Sequence, residues 1–325
     1  MNLKTAIAGY FHIEKKKRST GESNFRSGKC KNRITNIGLD QMGSISSGGA
    51  FNSCVVGSGS SLPSNGDLWL DTFVARTTSR MSGSPVWTFH NEDPDYFVRC
   101  VTRWQFGEGV AAGNLSEVGM AWGSTEGSLF CRALIVDALG NPTTITVLPD
   151  EFLEVTYTHE YYLDLSDDVG QIVLDGVTYD YVCRFGGVFS NWGNSATPVG
   201  NKPNTVRFGQ SQFGAGSASA IDITPATDPL GESTNSNTSD GRSLRPYVPG
   251  SYERIQDLTW LLGQGNVSGG IKRIIFPMMS AQGASAANHN LTFYAQCGFT
   301  PPIPKNNTRI LRLGMRSSWG RKDDA

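Results

Sequence analysis

Long apolar runs, reactive-site motifs and charged side chains are all scarce in this 325-residue chain. No stretch approaches the ~18 apolar residues that a membrane-crossing helix needs, so no membrane span is expected. The opening MNLKTAIAGYFHI has too short an apolar core for a secretion signal. It runs into KKKR where a cleavage site would stand, so the chain is expected to be made and to assemble in a cytoplasm. There is no GxSxG elbow and no GxxxxGK[ST] phosphate loop, which removes the usual hydrolase and nucleotide-binding readings. The glycines of GEGVAAG and GQGNVSGG miss the dinucleotide spacing and lie outside any βαβ unit, so turn formation explains them.

The remaining reactive side chains are few and dispersed. His12, His90, His159 and His289 are far apart in sequence, and His159 falls on the apolar side of an alternating run, where a core or interface histidine is the simpler reading. None of the six cysteines forms CxxC or a zinc-like spacing with histidine. Cys54, Cys100, Cys131, Cys183 and Cys297 lie in apolar runs and read as buried strand thiols, which leaves Cys30 as the expected exposed thiol. The acidic groups around His90 to Asp95 and Leu165 to Asp168 would suit calcium, but neither has an EF-hand spacing, and solvated acidic turns account for both. Among 29 acidic residues a glycosidase pair can always be found, so none is assigned. No catalytic residue, cofactor or metal is expected.

What the chain does have is glycine, 38 residues of it, with many Ser, Thr and Asn between short apolar segments. Many short strands joined by turns produce this balance. The expectation is an all-β protein: an antiparallel β-sandwich or barrel-like body with long loops and one short N-terminal helix. RITNIGLDQMG (33–43) supplies the helix, with Thr35 or Asn36 as cap, Ile37 and Met42 inward and Gly43 at its end. FLEVTYTHEYYL gives the cleanest period of two, with Leu153, Val155, Tyr157, His159, Tyr161 and Leu163 on one face. QIVLDGVTYDYVCRF reads as a hairpin turning at Asp175-Gly176. From 186 to 250 turn formers dominate and the apolar period disappears, which marks a loop-rich insertion.

The net charge of −1 conceals a polarised distribution. Residues 1–33 carry +7, residues 305–325 carry +4, and the middle carries −12. The expected organisation is a basic N-terminal arm (1–32) on a β-rich body (33–325). Basic ends on an acidic body suit subunit contacts, and Lys15, Lys16, Lys17, Arg18, Arg312 and Arg316 are the candidate residues. The plainer alternative is a solvated arm and tail. The basic run is short and lacks interleaved aromatics, which argues against nucleic acid as a partner. Of the seven tryptophans, Trp192 in VFSNWGNS is the candidate for a sugar or receptor contact, although anchoring its own loop is the commoner role.

The phrases RITNIGLDQMG, CVVGSGSSLPS, FGEGVAAGNLSEVG and LFCRALIVDALGNPTTITVLPDEFLEVTY, together with FYAQCGFTPPIPK and the closing SSWGR, resemble structural proteins of tailed-bacteriophage virions, chiefly tail, tail-fibre and baseplate components. The resemblance covers about 33–185 and about 290 to the end. It implies a non-enzymatic virion component that forms a homo-oligomer, for which a trimer fits, and that contacts other virion proteins. It supplies no catalytic residue. A carbohydrate-binding adhesin at a fibre tip, contacting host surface polysaccharide through Trp192 and the 186–250 loops, is the alternative, as is a head-decoration protein. A polysaccharide depolymerase is disfavoured by the lack of long β-helix repeats.

Overall fold

The structure, a computed structural model, describes residues 1–43, 51–92, 95–190, 220–221, 241–266, 269–281 and 291–322. Its first strands are β1 (Asn2–Lys17), β2 (Ser23–Arg26), β3 (Cys30–Lys31) and β4 (Arg33–Ile34), followed by helix α1 (Asn36–Gly43). Next come β5 (Ser53–Gly57), β6 (Phe73–Thr77), β7 (Val86–Glu92), β8 (Asp95–Phe106), β9 (Gly113–Leu115) and β10 (Glu117–Ala121). β11 (Leu129–Leu134), β12 (Ile145–Val147), β13 (Glu151–Leu163), β14 (Asp168–Leu174) and β15 (Val177–Ser190) follow. The last strands are β16 (Ala220–Ile221), β17 (Gly241–Leu244), β18 (Glu253–Trp260), β19 (Ile271–Ala281), β20 (Leu291–Ile303) and β21 (Leu311–Arg321). Among the described residues the protein is all-β with one helix, as its composition implies.

A nine-stranded main sheet runs β17-β18-β21-β1-β13-β8-β7, with β2 and β3 paired to the far half of β1. Its ladders are antiparallel except β1–β21, which is parallel and aligns Asn2 with Arg316. A second sheet has the order β4-β11-β10-β5-β6, a ribbon joins β12 to β9, and a third sheet runs β14-β15-β20-β19 with β16 beside β15.

Alternation in the long strands determines how these layers meet. Side chains two apart share a face, so Ile7, Phe11 and Ile13 of β1 project with Leu153, Val155, Tyr157 and Tyr161 of β13 into one core. Cys54, Val56, Val118, Met120 and Cys131 of the second sheet close that core from above. Farther along the same face, Leu3, Leu163, Leu313 and Met315 enter a second core against Tyr179, Phe185, Ile274 and Phe299 of the third sheet. One face of the main sheet therefore serves both sandwiches.

Residues 2–17 are consequently not a separate arm. They form the central strand, because the apolar residues at 7, 11 and 13 lie two or four apart and pair across β13 from Thr5↔Leu163 to Lys17↔Glu151. The basic character of the segment is concentrated at the far end of this strand. The expected insertion at 186–250 lies mostly outside the described residues.

Helix α1 forms where its caps direct. The Thr35 hydroxyl accepts the Gly38 amide at 2.8 Å, so Thr35 is the N-cap. Leu39 and Met42 are the buried residues, and Ile37 is only half-buried. The Trp319 indole N–H donates to the Leu39 carbonyl at 2.8 Å and ties β21 to the helix. The hairpin turn is where Asp-Gly placed it: Asp175 and Gly176 have φ of 51° and 77°. Pro301 and Pro302 lie within β20 and do not form a separate link.

Two cysteine expectations are corrected. Cys30 is buried, because it pairs with Phe11 on β1, and burial pushes its thiol pKa up. Cys183 and Cys297 lie directly opposite one another on β15 and β20 with Cα atoms 4.2 Å apart, and they are joined as a disulfide. The sequence gives no hint of this pairing, because it depends on the register of strands 114 residues apart.

Gly9 is the tightest point of the main sheet. A Cβ there would meet the Tyr157 hydroxyl at 2.8 Å and the Thr158 carbonyl at 3.0 Å, because the Tyr157 ring lies across the bare backbone. Gly9→Ala is expected to lower stability by about 1–3 kcal/mol in urea denaturation, the usual range for overpacking. Adding Tyr157→Phe should recover part of that loss by removing the hydroxyl.

Candidate functional site

The most highly organised group of charges lies on the outer side of the second sheet, beneath the loop at 58–72. Arg132 interrupts the apolar run LFCRALIV, and strand alternation turns it away from the core occupied by Cys131 and Ala133. It is fully buried and each nitrogen is engaged. Nε donates to Glu117 Oε2 at 2.7 Å, Nη1 to Ser61 Oγ and Asp67 Oδ2 at 3.1 Å, and Nη2 to the Ser61 carbonyl at 3.1 Å and Asp71 Oδ2 at 2.6 Å.

Glu117, also fully buried, is saturated as well. Its Oε1 accepts the amides of Gly59 and Thr72 at 2.8 and 2.9 Å, and its Oε2 accepts the Asp71 amide at 3.2 Å. The loop can approach this closely because residue 59 is glycine: a Cβ there would lie 2.5 Å from Glu117 Oε1. Burial pushes the Asp71 carboxyl up. Hydrogen bonds from Ser61 and Arg132 and the guanidinium charge outweigh that effect and leave its pKa below the usual carboxylate range. With every nitrogen of Arg132 and both oxygens of Glu117 occupied, the cluster staples the 58–72 loop to the sheet. The sequence signal for such a cluster is the arginine inside the apolar run LFCRALIV.

A broader arrangement covers the outer face of the main sheet. Even-numbered residues of β1 and β13 and odd-numbered residues of β8 project there. Lys16 Nζ meets Glu154 Oε2 at 2.9 Å, and Arg103 reaches the same carboxylate at 3.6 Å. Arg99 Nε donates to Glu160 Oε1 at 2.7 Å, and the Tyr162 hydroxyl donates to Glu160 Oε2 at 2.6 Å. Phe97 stacks against His90 at 4.6 Å and packs against Tyr162 at 5.0 Å, with Lys322 over the Tyr162 ring. This face is a lattice of cross-strand pairs, each modest in energy.

The six candidate subunit-contact residues divide into two groups. Lys15 turns toward the core rim, where Nζ donates to the Thr146 carbonyl at 2.8 Å and lies 3.3 Å from Glu151. Arg18 is paired with Glu108. Lys17 is exposed. Arg312 and Arg316 project from β21, where Arg316 lies 3.5 Å from Glu253 and Arg312 is exposed near Asp257. The register aligns Arg316 with Asn2, so the two groups sit at opposite ends of β1, on the order of 45 Å apart along the strand. They do not form one patch.

Other sequence candidates take structural positions. His159 is buried among Phe51, Tyr157 and Tyr161, with ring centroids at 4.5, 5.3 and 5.2 Å. Burial pushes its pKa down to about 3, which keeps it neutral at physiological pH. Cys100 and Cys131 are pushed up to about 12 and about 11 by burial, which makes both poor nucleophiles. Asp167 pairs with Arg184, and Asp168 accepts the Asn2 amide at 2.5 Å. Among the described residues, no group of three or more His, Cys, Asp or Glu side chains is placed to hold a metal ion. Nor is any helix among them long and apolar enough to cross a membrane. Trp192, the candidate sugar contact, lies outside the described residues. Compared with known proteins, the chain matches no protein-family model, no curated protein and no solved structure.

Two measurements test these assignments. Arg132→Met leaves the Glu117 carboxylate buried without its counter-charge and is expected to lower stability by about 3–5 kcal/mol, read from the urea midpoint. His159 governs an acid limb. Its unfolded pKa is ~6.5 and its folded pKa about 3, so the unfolded chain binds the proton first as pH falls. Stability contributed by neutral His159 is present above about pH 6.5 and declines toward pH 3 by on the order of 1.4 kcal/mol per unit. His159→Phe should flatten that limb. An unchanged slope would show that other groups govern it.

Proposed function

We propose that the chain is a non-enzymatic structural subunit of a tailed-phage particle, placed in the tail, tail fibre or baseplate. In this reading it assembles with further copies of itself and with other virion proteins. The observation that carries the proposal is where the charged and reactive groups lie. The deepest ion cluster is saturated and fastens a loop, the buried histidine is held neutral, and the buried thiols are held protonated. Such an arrangement suits a rigid wall. It accords with the virion-like wording of the segment from Phe106 to Tyr157, which contributes the end of β8, the ribbon, β10, β11 and half of β13.

The main sheet fits the same role. Its inner face supports two sandwiches, and its outer face offers a wide area of paired charges, a surface that stays soluble before assembly and can exchange partners during it. The two groups of basic residues at opposite ends of β1 suit contacts with two different neighbours. Gold-labelled antibodies against the purified chain are expected to decorate intact particles at one fixed position, with a copy number matching the local symmetry. Particles left unlabelled, in lysates where the chain is abundant, would exclude the virion reading.

A further inference from the structure

The third sheet ends, among the described residues, in an edge strand whose only charged residue, Asp168, stands at its first position. β14 reads DVGQIVL and contains no lysine, arginine or proline, and its ladder with β15 runs without a bulge from Asp168↔Cys183 to Leu174↔Val177. Edge strands of soluble proteins normally carry such features, because their free N–H and C=O groups form a template for another strand. Here Val169 and Val173 project into solvent at 66% and 65% exposure, with Gln171 exposed between them.

The direction of the free backbone groups follows from the hairpin. A two-residue turn at Asp175-Gly176 makes Leu174 and Val177 a hydrogen-bonded pair. Alternation then turns the N–H and C=O groups of Asp168, Gly170 and Ile172 toward β15 as well. The groups of Val169, Gln171 and Val173 therefore point off the edge. The close Cα approach of Cys183 and Cys297 marks a non-hydrogen-bonded pair on the other side of β15, which gives the same phase.

We propose that this edge pairs with the same edge of a second copy, antiparallel about a two-fold axis through Gln171. In that register Val169 faces Val173 of the partner subunit, Gln171 faces its own equivalent, and every outward N–H and C=O group finds a partner. The charges at the ends are complementary. Asp167 would come opposite the partner subunit's Asp175, but Asp167 is paired with Arg184 and Asp175 lies 3.6 Å from Arg309. Each end of the joint thus brings together two carboxylates and two guanidiniums with no net charge, which removes like-charge repulsion and sets the register. The two third sheets would become one continuous sheet across the subunits. This contact deepens the assembly reading and rests on it.

The test uses the full chain and three variants that each add one cysteine to it. Under mild oxidation Gln171→Cys is expected to form a covalent dimer on a non-reducing gel, because residue 171 alone meets its own equivalent. Val169→Cys and Val173→Cys should not cross-link efficiently. Gln171→Pro removes an outward N–H and the exposed hydrogen bond from Gln171 Nε2 to Asp180 Oδ1, leaves the backbone ladder to β15 intact, and is expected to give a folded monomer by circular dichroism and light scattering, where the parent chain dimerises with concentration. Self-association of Gln171→Pro equal to that of the parent overturns the edge contact and leaves the particle reading intact. Equal cross-linking at 169, 171 and 173 overturns the register. A parent chain monomeric at all concentrations overturns the proposal, and particle labelling then decides the broader reading separately.

Discussion

The antiparallel ladder between β1 and β13 is the constraint on which the other layers depend. Both strands are long enough to serve two cores in succession, so a single alternation sets the inner face of both sandwiches. A slip of one residue would turn one strand over relative to the other, setting Glu154 and Glu160 on the face of Phe11 and Ile13, or Lys16 on the face of Val155 and Tyr157. The register is held from both sides: by apolar packing inside, and outside by ion pairs such as Lys16–Glu154, whose partners come from the two strands. Gly9 adds a steric key, because only its bare backbone admits the Tyr157 ring.

The buried charge cluster works differently. A guanidinium and a carboxylate taken out of water are unfavourable unless every lone pair and proton is satisfied, and an apolar pair of the same volume would often be at least as stable. What Arg132 and Glu117 provide is direction: they specify one arrangement of the glycine- and serine-rich segment between β5 and β6. Leu70 and Trp69 give that segment apolar anchorage on Val55 and Leu129, and the charges fix how the rest of it lies. The amides of Gly59, Asp71 and Thr72 and the side chain of Ser61 are all tied to these two charged groups, so loop and sheet behave as one body.

Much of this fold was legible in the sequence where alternation was long. The run at 152–163 and the Asp-Gly hairpin appear as read, and Thr35 caps the helix whose last residue is Gly43. The basic opening misled because Lys15, Lys16 and Lys17 mask the apolar period at 7, 11 and 13, and because charge counted over a window says nothing of which end of a strand carries it. The Arg132 cluster was missed because its ligands, Ser61, Asp67 and Asp71, sit in a stretch that composition marks only as a loop. Cys183 and Cys297 were read as separate thiols because no local pattern reports a register between distant strands.

The parallel pairing of β1 with β21 has a kinetic side. The Thr5 hydroxyl donates to the carbonyl of Ser318, 313 residues farther along, and Lys16 reaches Glu154 across 138. Early in synthesis β1 has only the short strands β2 and β3 beside its far half, and its full ladders wait for two much later segments. Contacts so distant in sequence make folding slow, and during the delay one whole edge of β1 and the first half of the other stay open. The protein is thus expected to be most vulnerable to aggregation before β13 and β21 have closed over its central strand.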